Sequence, residues 1–211
     1  MNKTLAIVAA LAVVVVVGLG PRLAHWVGFP TGGASADGTT TGSTSAVAIG
    51  GPFTLVDGDG RTVTEQDFRG KWMVIYFGYT YCPDVCPTGL SSIGQAVDML
   101  PEAQQDKVVP LFISVDPERD TPEVVGDYVG HFHPRMVGLT GSEEQVAAVA
   151  KEYKVYYKKV QDGDGPYLMD HSAIAYVMGP DGQFVRHFSH GVPPEDMAKA
   201  LGELLAKGGA S

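Results

Sequence analysis

The sequence predicts an α/β fold, and three observations lead to that prediction. Two short apolar runs, Trp72–Phe77 and Val108–Val115, are rich in β-branched and aromatic residues, which is typical of buried strands. Helix start signals, such as Thr121–Pro122–Glu123, stand between the strand-like runs. The resulting order is a β-hairpin, a β–α–β–α segment, a second β-hairpin and a closing helix. This order predicts a thioredoxin-like sheet flanked by helices, with an added N-terminal β-hairpin.

Turn residues, helix caps and apolar periodicity predict the elements of this domain in chain order. The first hairpin joins Pro52–Val56 to Arg61–Thr64 through a turn at Asp57–Gly60. The other predicted strands are Trp72–Phe77, Val108–Val115, Val155–Val160, Ser172–Met178 and Gln183–Phe188. The predicted helices run from about Pro87 to Leu100, from Thr121 to Phe132, from Ser142 to Tyr153 and from Pro193 to Lys207.

Residues 1–30 are predicted to form a single membrane helix and an interfacial segment ahead of the domain. The run Thr4–Gly20 carries no charge and reaches the lower length limit of a membrane-spanning helix. A cleaved secretory signal is the alternative, but its cleavage site is poorly marked around Gly18–Gly20. Lys3 and the lack of an Arg-rich presequence favour a single-pass protein of a bacterial inner membrane, with its folded domain in the periplasm.

Composition separates a tether from a folded domain. Residues 31–50 are mostly Gly, Ser, Thr and Ala, which predicts a flexible tether that lets the domain reach a membrane-bound partner. Residues 51–211 are long enough to form one domain with a sizeable core. The net charge of −9 and the pI near 5.0 argue against nucleic-acid binding, which would need a basic face.

The stretch Tyr76–Gly89 contains both cysteines of the chain, Cys82 and Cys86, directly after a predicted buried strand. In open α/β sheets, ligands bind at the carboxyl ends of the strands. A proline follows each cysteine, and Pro87 is predicted at the first helical position, which places Cys86 at the helix N-cap. The helix dipole favours a negative thiolate there, so both thiol pKa values are predicted to fall below the usual value of about 8.5.

Two such thiols can close a disulfide, transfer electrons or bind a soft metal. A disulfide over so short a loop removes little chain entropy, so a purely stabilising bond is disfavoured. Redox pairs usually have two intervening residues, whereas Cys82 and Cys86 have three. A structural zinc site needs four nitrogen or sulfur ligands, and only two cysteines are present. Cu(I) favours thiolates and accepts two or three ligands, so copper is compatible with the pair.

His171 is the candidate third ligand, because it immediately precedes the predicted strand Ser172–Met178. In a thioredoxin-like fold, a loop at this place faces the cysteine loop, and imidazole suits copper. Asp170 either orients the imidazole ring or is a solvated carboxylate. Met169 is chemically able to bind Cu(I), although packing is the simpler interpretation.

Other polar and aromatic residues near these motifs have ordinary interpretations as well. Asp116, Arg119 and Asp120 follow a predicted strand and either neutralise the metal site or form a turn, an ion pair and a helix cap. Asp84 in the cysteine loop either binds a partner or is solvated. Aromatic packing around the loop is predicted for Tyr76, Tyr79 and Tyr81, and surface or core-edge positions for His131, His133, His187 and His190.

Four motifs together resemble one known family. FGYTYCPDVCPTGL, SVDPERDTPE, FHPRMVGLTG and DHSAIAYVM, in this order and at these separations, are similar to the Sco/SenC family of membrane-anchored copper-delivery proteins. The resemblance extends from about Gly51 to the end of the chain, and the combination is specific, whereas Cys-x-x-x-Cys alone is a weak signal. It implies a thioredoxin-like fold that binds one copper ion, Cu(I) or Cu(II), through Cys82, Cys86 and His171.

The resemblance also implies a function and partners. The chain would be a metallochaperone, not an enzyme, which receives copper from a donor protein and delivers it to the binuclear copper site of cytochrome c oxidase subunit II. Auxiliary reduction of thiols at that site is a further implication. Two alternatives stay open from the residues: a membrane-tethered thiol–disulfide oxidoreductase, whose histidine only tunes the cysteines, and a copper or redox sensor.

Overall fold

The computed structural model describes residues 48–161, 163 and 165–208. This part of the chain forms an α/β domain with nine strands and five α-helices. The strands are β1 (Thr54–Asp57), β2 (Thr62–Thr64), β3 (Trp72–Gly78), β4 (Val108–Ser114), β5 (Val137–Thr140), β6 (Tyr157–Val160), β7 (Leu168–His171), β8 (Ile174–Met178) and β9 (Phe184–Ser189). The helices are α1 (Val85–Asp98), α2 (Glu102–Gln105), α3 (Pro122–Gly130), α4 (Glu143–Glu152) and α5 (Pro194–Gly208).

Seven strands form one mixed sheet in the order β2-β1-β5-β4-β3-β8-β9. Strands β3, β4 and β5 are parallel neighbours, whereas β1, β2, β8 and β9 join the sheet by antiparallel pairing. The remaining strands, β6 and β7, form a separate antiparallel pair. The thioredoxin-like sheet with flanking helices and an N-terminal hairpin is therefore confirmed, and the second sheet is an addition to it.

The core is built on β3, whose seven residues are all buried. This strand pairs with β4 on one side and with β8 on the other, so both of its neighbours cover its backbone groups. Phe77 near its end packs its ring against those of Tyr153 and Tyr176, at centroid distances of 5.4 and 5.9 Å. Helix α1 packs on β3 and β4 and against α5. The apolar run of the sequence thus becomes the centre of the sheet.

Capping residues start two of the helices where the sequence predicts. The Thr121 hydroxyl accepts a hydrogen bond from the Val124 N–H at 3.4 Å at the start of α3, and Pro122 is the first helical residue. The Ser142 hydroxyl accepts from the Gln145 N–H at 3.3 Å, and the Gln145 side chain accepts from the Ser142 N–H at 2.8 Å. This reciprocal capping box fixes the start of α4.

Some short elements differ from the prediction. The 3₁₀ turn Glu65–Phe68 and helix α2 are not predicted, and β5 lies in a segment that has no predicted strand. Gly138 within β5 weakens the strand signal in the sequence, because glycine in a short run usually indicates a turn. A Cβ atom on Gly138 would lie 2.6 Å from the Val125 carbonyl oxygen of α3, so the helix packs too closely for a side chain. The predicted strand Val155–Val160 begins two residues later, as β6, and pairs with β7, which is not predicted, whereas the second predicted hairpin is confirmed as β8 and β9.

The predicted membrane anchor at residues 1–30 lies outside the described residues, as does most of the predicted tether. Among the described residues, none of the helices has the length and apolar character needed to cross a membrane.

Candidate metal centre

Cys82 and Cys86 lie where the central strand β3 leaves the sheet. β3 ends at Gly78, Cys82 is in the following loop, and Cys86 is in the first turn of α1. Gly78 makes room for this arrangement, because a Cβ atom at its position would lie 2.6 Å from Cys86 Sγ. Both cysteines are buried and free, so no disulfide joins them. The predicted position at the carboxyl end of the strand is confirmed.

The start of α1 differs from the prediction by two residues. The helix begins at Val85 with Asp84 as its N-cap, so Cys86 is its second residue and Pro87 its third. Proline is tolerated there because the first N–H groups of a helix have no partner within it. Asp84 is exposed and its side chain makes no capping hydrogen bond. Instead, the Cys86 N–H donates to Cys82 Sγ at 3.4 Å, so a sulfur takes the place of the capping oxygen.

His171, the last residue of β7, brings a nitrogen to the two sulfurs. Its Nε2 lies 3.3 Å from Cys86 Sγ and 4.0 Å from Cys82 Sγ. Its Nδ1 lies 3.4 Å from the carbonyl oxygen of Ser172. The rings of Tyr79 and Tyr76 meet the imidazole edge-on, at centroid distances of 5.7 and 6.3 Å.

The neighbours of His171 in β7 take their ordinary roles. Asp170 is exposed, and among the described residues no hydrogen bond joins it to the imidazole, so the solvated interpretation fits. Met169 is buried and belongs to the hydrophobic core, as its packing interpretation predicts.

The two thiols have opposite pKa shifts. Hydrogen bonds from the Cys86 thiol and from His171 lower the pKa of Cys82 to about 4. The same hydrogen bond to Cys82, together with burial, raises the pKa of Cys86. The prediction that both pKa values fall is therefore wrong for Cys86. The reason is that the thiols share one proton: Cys82 takes the backbone N–H groups of the helix start, and the more deeply buried Cys86 keeps the proton.

Asp120 fixes the start of the cysteine loop through buried hydrogen bonds. It is fully buried and accepts hydrogen bonds from the Thr80 N–H at 3.0 Å, the Thr80 hydroxyl at 2.6 Å and the Ser114 hydroxyl at 2.6 Å. Burial raises its pKa, although these hydrogen bonds oppose the shift. Asp120 thus ties the residues before Cys82 to the end of β4, and it is Thr121 that caps α3. Thr80 and Ser114 are supporting residues that no motif reveals.

The predicted ion pair in this segment joins Arg119 and Asp116. Arg119 Nε lies 2.5 Å from Asp116 Oδ2, and the Asp116 side chain is almost fully buried. Tyr81, directly before Cys82, is largely exposed at 61 %, whereas Tyr76 and Tyr79 are buried as expected for loop packing. The other histidines of the described part of the chain lie elsewhere: His133 is buried 3.2 Å from an Asp98 oxygen, and the exposed ones are His131, His187 and His190.

The three side chains fit a single soft metal ion. Among the described residues, Cys82, Cys86 and His171 form a group whose donor atoms all lie within 4.8 Å of one another. Two ligands of one ion lie no further apart than two metal–ligand bonds, roughly 4.4 Å for a sulfur and a nitrogen at the bond lengths of zinc. The distances of 3.3 and 4.0 Å satisfy this limit. Two sulfurs and one imidazole suit a soft ion such as Cu(I).

Comparison with known proteins gives one family. The SCO1/SenC family model matches residues 41–206. The protein SenC of Rhodobacter capsulatus is 44% identical over 204 residues, which is 97% of this chain and 91% of SenC. The mitochondrial SCO1 homolog 1 of Arabidopsis thaliana is 49% identical over 146 residues, 69% of this chain and 44% of that protein. The chain therefore spans about half the length of the plant relative.

A solved structure agrees with the fold. The crystal structure of Arabidopsis thaliana ScoI with copper bound has a TM-score of 0.71 and is 44% identical to this chain. The alignment covers 76% of this chain and 99% of ScoI. The similarity thus extends over nearly all of a folded domain that was crystallised with copper.

Proposed function

The chain belongs to the SCO1/SenC family, and from this membership together with the site we propose that it is a copper chaperone for cytochrome c oxidase assembly. In this proposal Cys82, Cys86 and His171 bind one copper ion, which passes to the binuclear copper site of oxidase subunit II. The protein carries its cargo and is not an enzyme. The convergence of two sulfurs and one imidazole nitrogen within 4.8 Å is the observation that supports it.

The protonation states at the site define how copper enters. Cys82 is the thiolate at neutral pH, because its pKa is lowered to about 4. Cys86 holds a proton, since its hydrogen bond to Cys82 and its burial raise its pKa, and it releases that proton when its sulfur binds the ion. His171 offers Nε2 while its Nδ1 faces the Ser172 carbonyl. Loading at neutral pH should therefore release about one proton per copper ion, and acidic pH should weaken it.

Delivery follows from ligand exchange. A site of three ligands leaves coordination capacity for an incoming thiolate of the partner. One ligand of this chain then leaves as the partner's ligand binds, so the ion moves without becoming free. A copper donor protein loads the site by the reverse exchange.

The layout of the chain supports this role as part of the proposal. Residues 1–30 would anchor the protein in a bacterial inner membrane, and residues 31–50 would tether the domain of residues 51–211 in the periplasm. A tether of about twenty residues lets the domain move by a few tens of Å, which brings it to a membrane-bound oxidase subunit.

The asymmetry of the two thiols favours a second candidate, thiol–disulfide exchange. The Cys82 thiolate would attack a disulfide of the partner and form a mixed disulfide, releasing one partner thiolate. Cys86 would lose its proton, attack Cys82 Sγ and release the second partner thiolate. The partner gains two electrons, and the chain is left with a Cys82–Cys86 disulfide that an external dithiol must reduce. This disulfide would also block copper binding.

An anaerobic Cu(I) titration of the full-length chain tests the proposal. The wild type should bind one copper ion, and C82A, C86A and H171A should each lose affinity by about 100-fold or more, since each ligand of such a site contributes about 3 kcal/mol. H190A is the matched control, because His190 is an exposed histidine outside the group of ligands. The loaded chain is then mixed with a purified soluble fragment of oxidase subunit II, which should take up the copper.

Two outcomes overturn this assignment. One is full copper stoichiometry and affinity in C82A or H171A. The other is a wild type without measurable copper affinity that nevertheless reduces a protein disulfide, and this outcome would establish the oxidoreductase. Loading without transfer to subunit II would contradict the delivery step alone.

A further inference from the structure

Arg119 lies between the two segments that carry the candidate ligands. Its guanidinium carbon is 3.7 Å from the ring centroid of Tyr167, 4.7 Å from that of Tyr81 and 5.7 Å from that of Tyr79. Tyr81 is the residue before Cys82, and Tyr167 lies four residues before His171. One cation therefore contacts both the cysteine loop and the chain that enters β7.

Polar contacts make this arrangement specific. Arg119 Nη1 donates to the Tyr167 carbonyl oxygen at 2.9 Å, while its Nε lies 2.5 Å from Asp116 Oδ2. The other oxygen of Asp116 accepts a hydrogen bond from the Tyr167 hydroxyl at 2.8 Å. Asp116, Arg119 and Tyr167 thus form a closed triangle, in which Tyr167 is held at its backbone, its ring and its hydroxyl.

The tyrosine rings also surround the nitrogen of the guanidinium that has no hydrogen-bond acceptor in the described part of the chain. Arg119 Nη2 is buried and has no hydrogen-bond partner among the described residues. A buried N–H group without an acceptor is unfavourable unless another electron-rich group replaces it. The aromatic faces around Arg119 supply such a group, since the ring face carries partial negative charge. An arginine is therefore better suited to this position than a lysine.

We propose that Arg119 is a positioning residue, which sets the distance of His171 from the cysteine pair by holding Tyr81 and Tyr167 on one guanidinium. The proposal rests on the proposed copper function. The β6–β7 pair is not joined to the main sheet, so its place depends on contacts such as these. Because β7 is a hydrogen-bonded strand that ends at His171, a shift of Tyr167 shifts the imidazole.

The variants R119A and R119K of the full-length chain test this role, with R186A as the matched control. Arg186 also lies over an aromatic ring, 4.7 Å from the centroid of Phe188, but it is on β9 and outside the ligand segments. R119K keeps the charge and loses the planar guanidinium with its second donor. Two quantities are measured: Cu(I) affinity by competition with a chelator, and amide hydrogen exchange of β3 and of the β6–β7 pair in the copper-free protein.

R119A should bind copper about 10-fold to 100-fold more weakly, as is usual when the support of a metal ligand is removed. R119K should lie between R119A and the wild type, and R186A should stay within about twofold of the wild type. Exchange should become faster in β6 and β7 of R119A and stay unchanged in β3. A purely structural role would instead speed exchange in both regions or leave copper affinity untouched.

A double variant decides whether Arg119 acts through the imidazole. In an H171A background, R119A should cost at most about a further twofold in copper affinity, because the ligand that it positions is already absent. Equal losses in both backgrounds would overturn the inference, as would unchanged affinity in R119A. If R119A does not fold, R119K decides by the same criteria. A wild type and R186A that both fail to bind copper would contradict the proposed function instead.

Discussion

The cysteine loop and the β6–β7 pair meet at the candidate site. The cysteine loop follows β3, a central strand of the main sheet, whereas the β6–β7 pair lies outside that sheet. The loop continues β3, whose seven residues are all buried, and Asp120 ties it to β4. The β6–β7 pair has a single buried residue, Met169, and it is joined to the domain by this residue, by the partly buried Tyr157 and by the hydrogen bonds and cation–π contacts of the neighbouring Tyr167. Isolated two-stranded hairpins are marginally stable in water.

Because of this difference, we expect some changes to affect the stability of the whole fold and others to affect only the position of a candidate ligand. The positions of the two sulfurs depend on the packing of β3 and α1, so a change that moves them should also destabilise the fold. The position of His171 depends on local contacts, so it can change while the core stays intact. In the proposed function, this arrangement would let the imidazole adapt during exchange of the copper ion while the sulfur pair stays in place.

The largest effect on the fold is expected from F77A. Phe77 is fully buried near the end of β3, and its ring contacts those of Tyr153 and Tyr176. Removing the ring should lower the free energy of unfolding by about 3–5 kcal/mol. Denaturant unfolding of the copper-free chain measures this loss. The control V185A, which truncates an exposed strand residue, should stay within about 0.5 kcal/mol of the wild type. A loss below about 1 kcal/mol in F77A would contradict the conclusion that the packing of β3 supports the whole fold.

G78A should move a sulfur and destabilise the fold together. An added Cβ atom would lie 2.6 Å from Cys86 Sγ and 3.0 Å from a Phe112 ring atom, closer than packed atoms approach. We expect a loss of about 1–3 kcal/mol in unfolding free energy, with weaker copper binding. G130A is the matched control, since a Cβ atom there would meet nothing within 4 Å. Wild-type copper affinity in G78A would show that the sulfur positions do not depend on this packing.

The sequence predicts β3 and the cysteine loop better than the β6–β7 pair, for a physical reason. Continuous apolar residues and helix caps act locally, so β3, β4 and the starts of α3 and α4 follow from the sequence. The pairing of β7 with β6 depends on tertiary contacts of Tyr167 and Met169, for which no local pattern exists. Gly138 shows the same limit, because the close approach of α3 explains it only after folding.

The chemistry of the site was also predictable only in part. Motif spacing selects Cys82, Cys86 and His171, which the fold brings together, while their role as copper ligands stays a prediction. The helix dipole predicts a low pKa for both thiols, but it does not say which sulfur keeps their common proton. That depends on the burial of Cys86 and on the backbone N–H groups at Cys82. Arg119 was predicted in an ion pair, and its stacking on tyrosines 81 and 167 has no signal in the sequence.

H171A should change the chemistry of Cys82 with little effect on the fold. The Cys86 thiol and then His171 lower the pKa of Cys82 to about 4, so its thiolate should react with iodoacetamide even at pH 5. Because this pKa is lowered on folding, ionised Cys82 stabilises the fold above the usual thiol pKa, and that contribution is lost as the pH falls towards 4.

The measurement is the rate of Cys82 alkylation against pH, resolved by mass spectrometry. The midpoint should rise in H171A and rise further in C86A, because the hydrogen bond from Cys86 is the larger cause. The unfolding free energy of H171A should stay within about 1 kcal/mol of the wild type. A wild-type midpoint between pH 8 and 9 would contradict the assignment of the thiolate to Cys82.

The smallest effect is expected from K159A, at the edge of the β6–β7 pair. Lys159 forms an ion pair with Glu118 and lies 3.8 Å from the ring centroid of Tyr167, but about half of its side chain is exposed. Solvent screens such pairs, so amide exchange in β6 and β7 should become only about two- to fivefold faster, with unchanged exchange in β3. K207A, on the last turn of α5, is the exposed control and should change neither region. Because screening by salt already weakens the pair in the wild type, the difference between K159A and the wild type should shrink at 1 M salt. If K159A instead matched R119A in amide exchange and in copper affinity, the position of the β6–β7 pair would depend on many contacts along its surface and not mainly on Arg119.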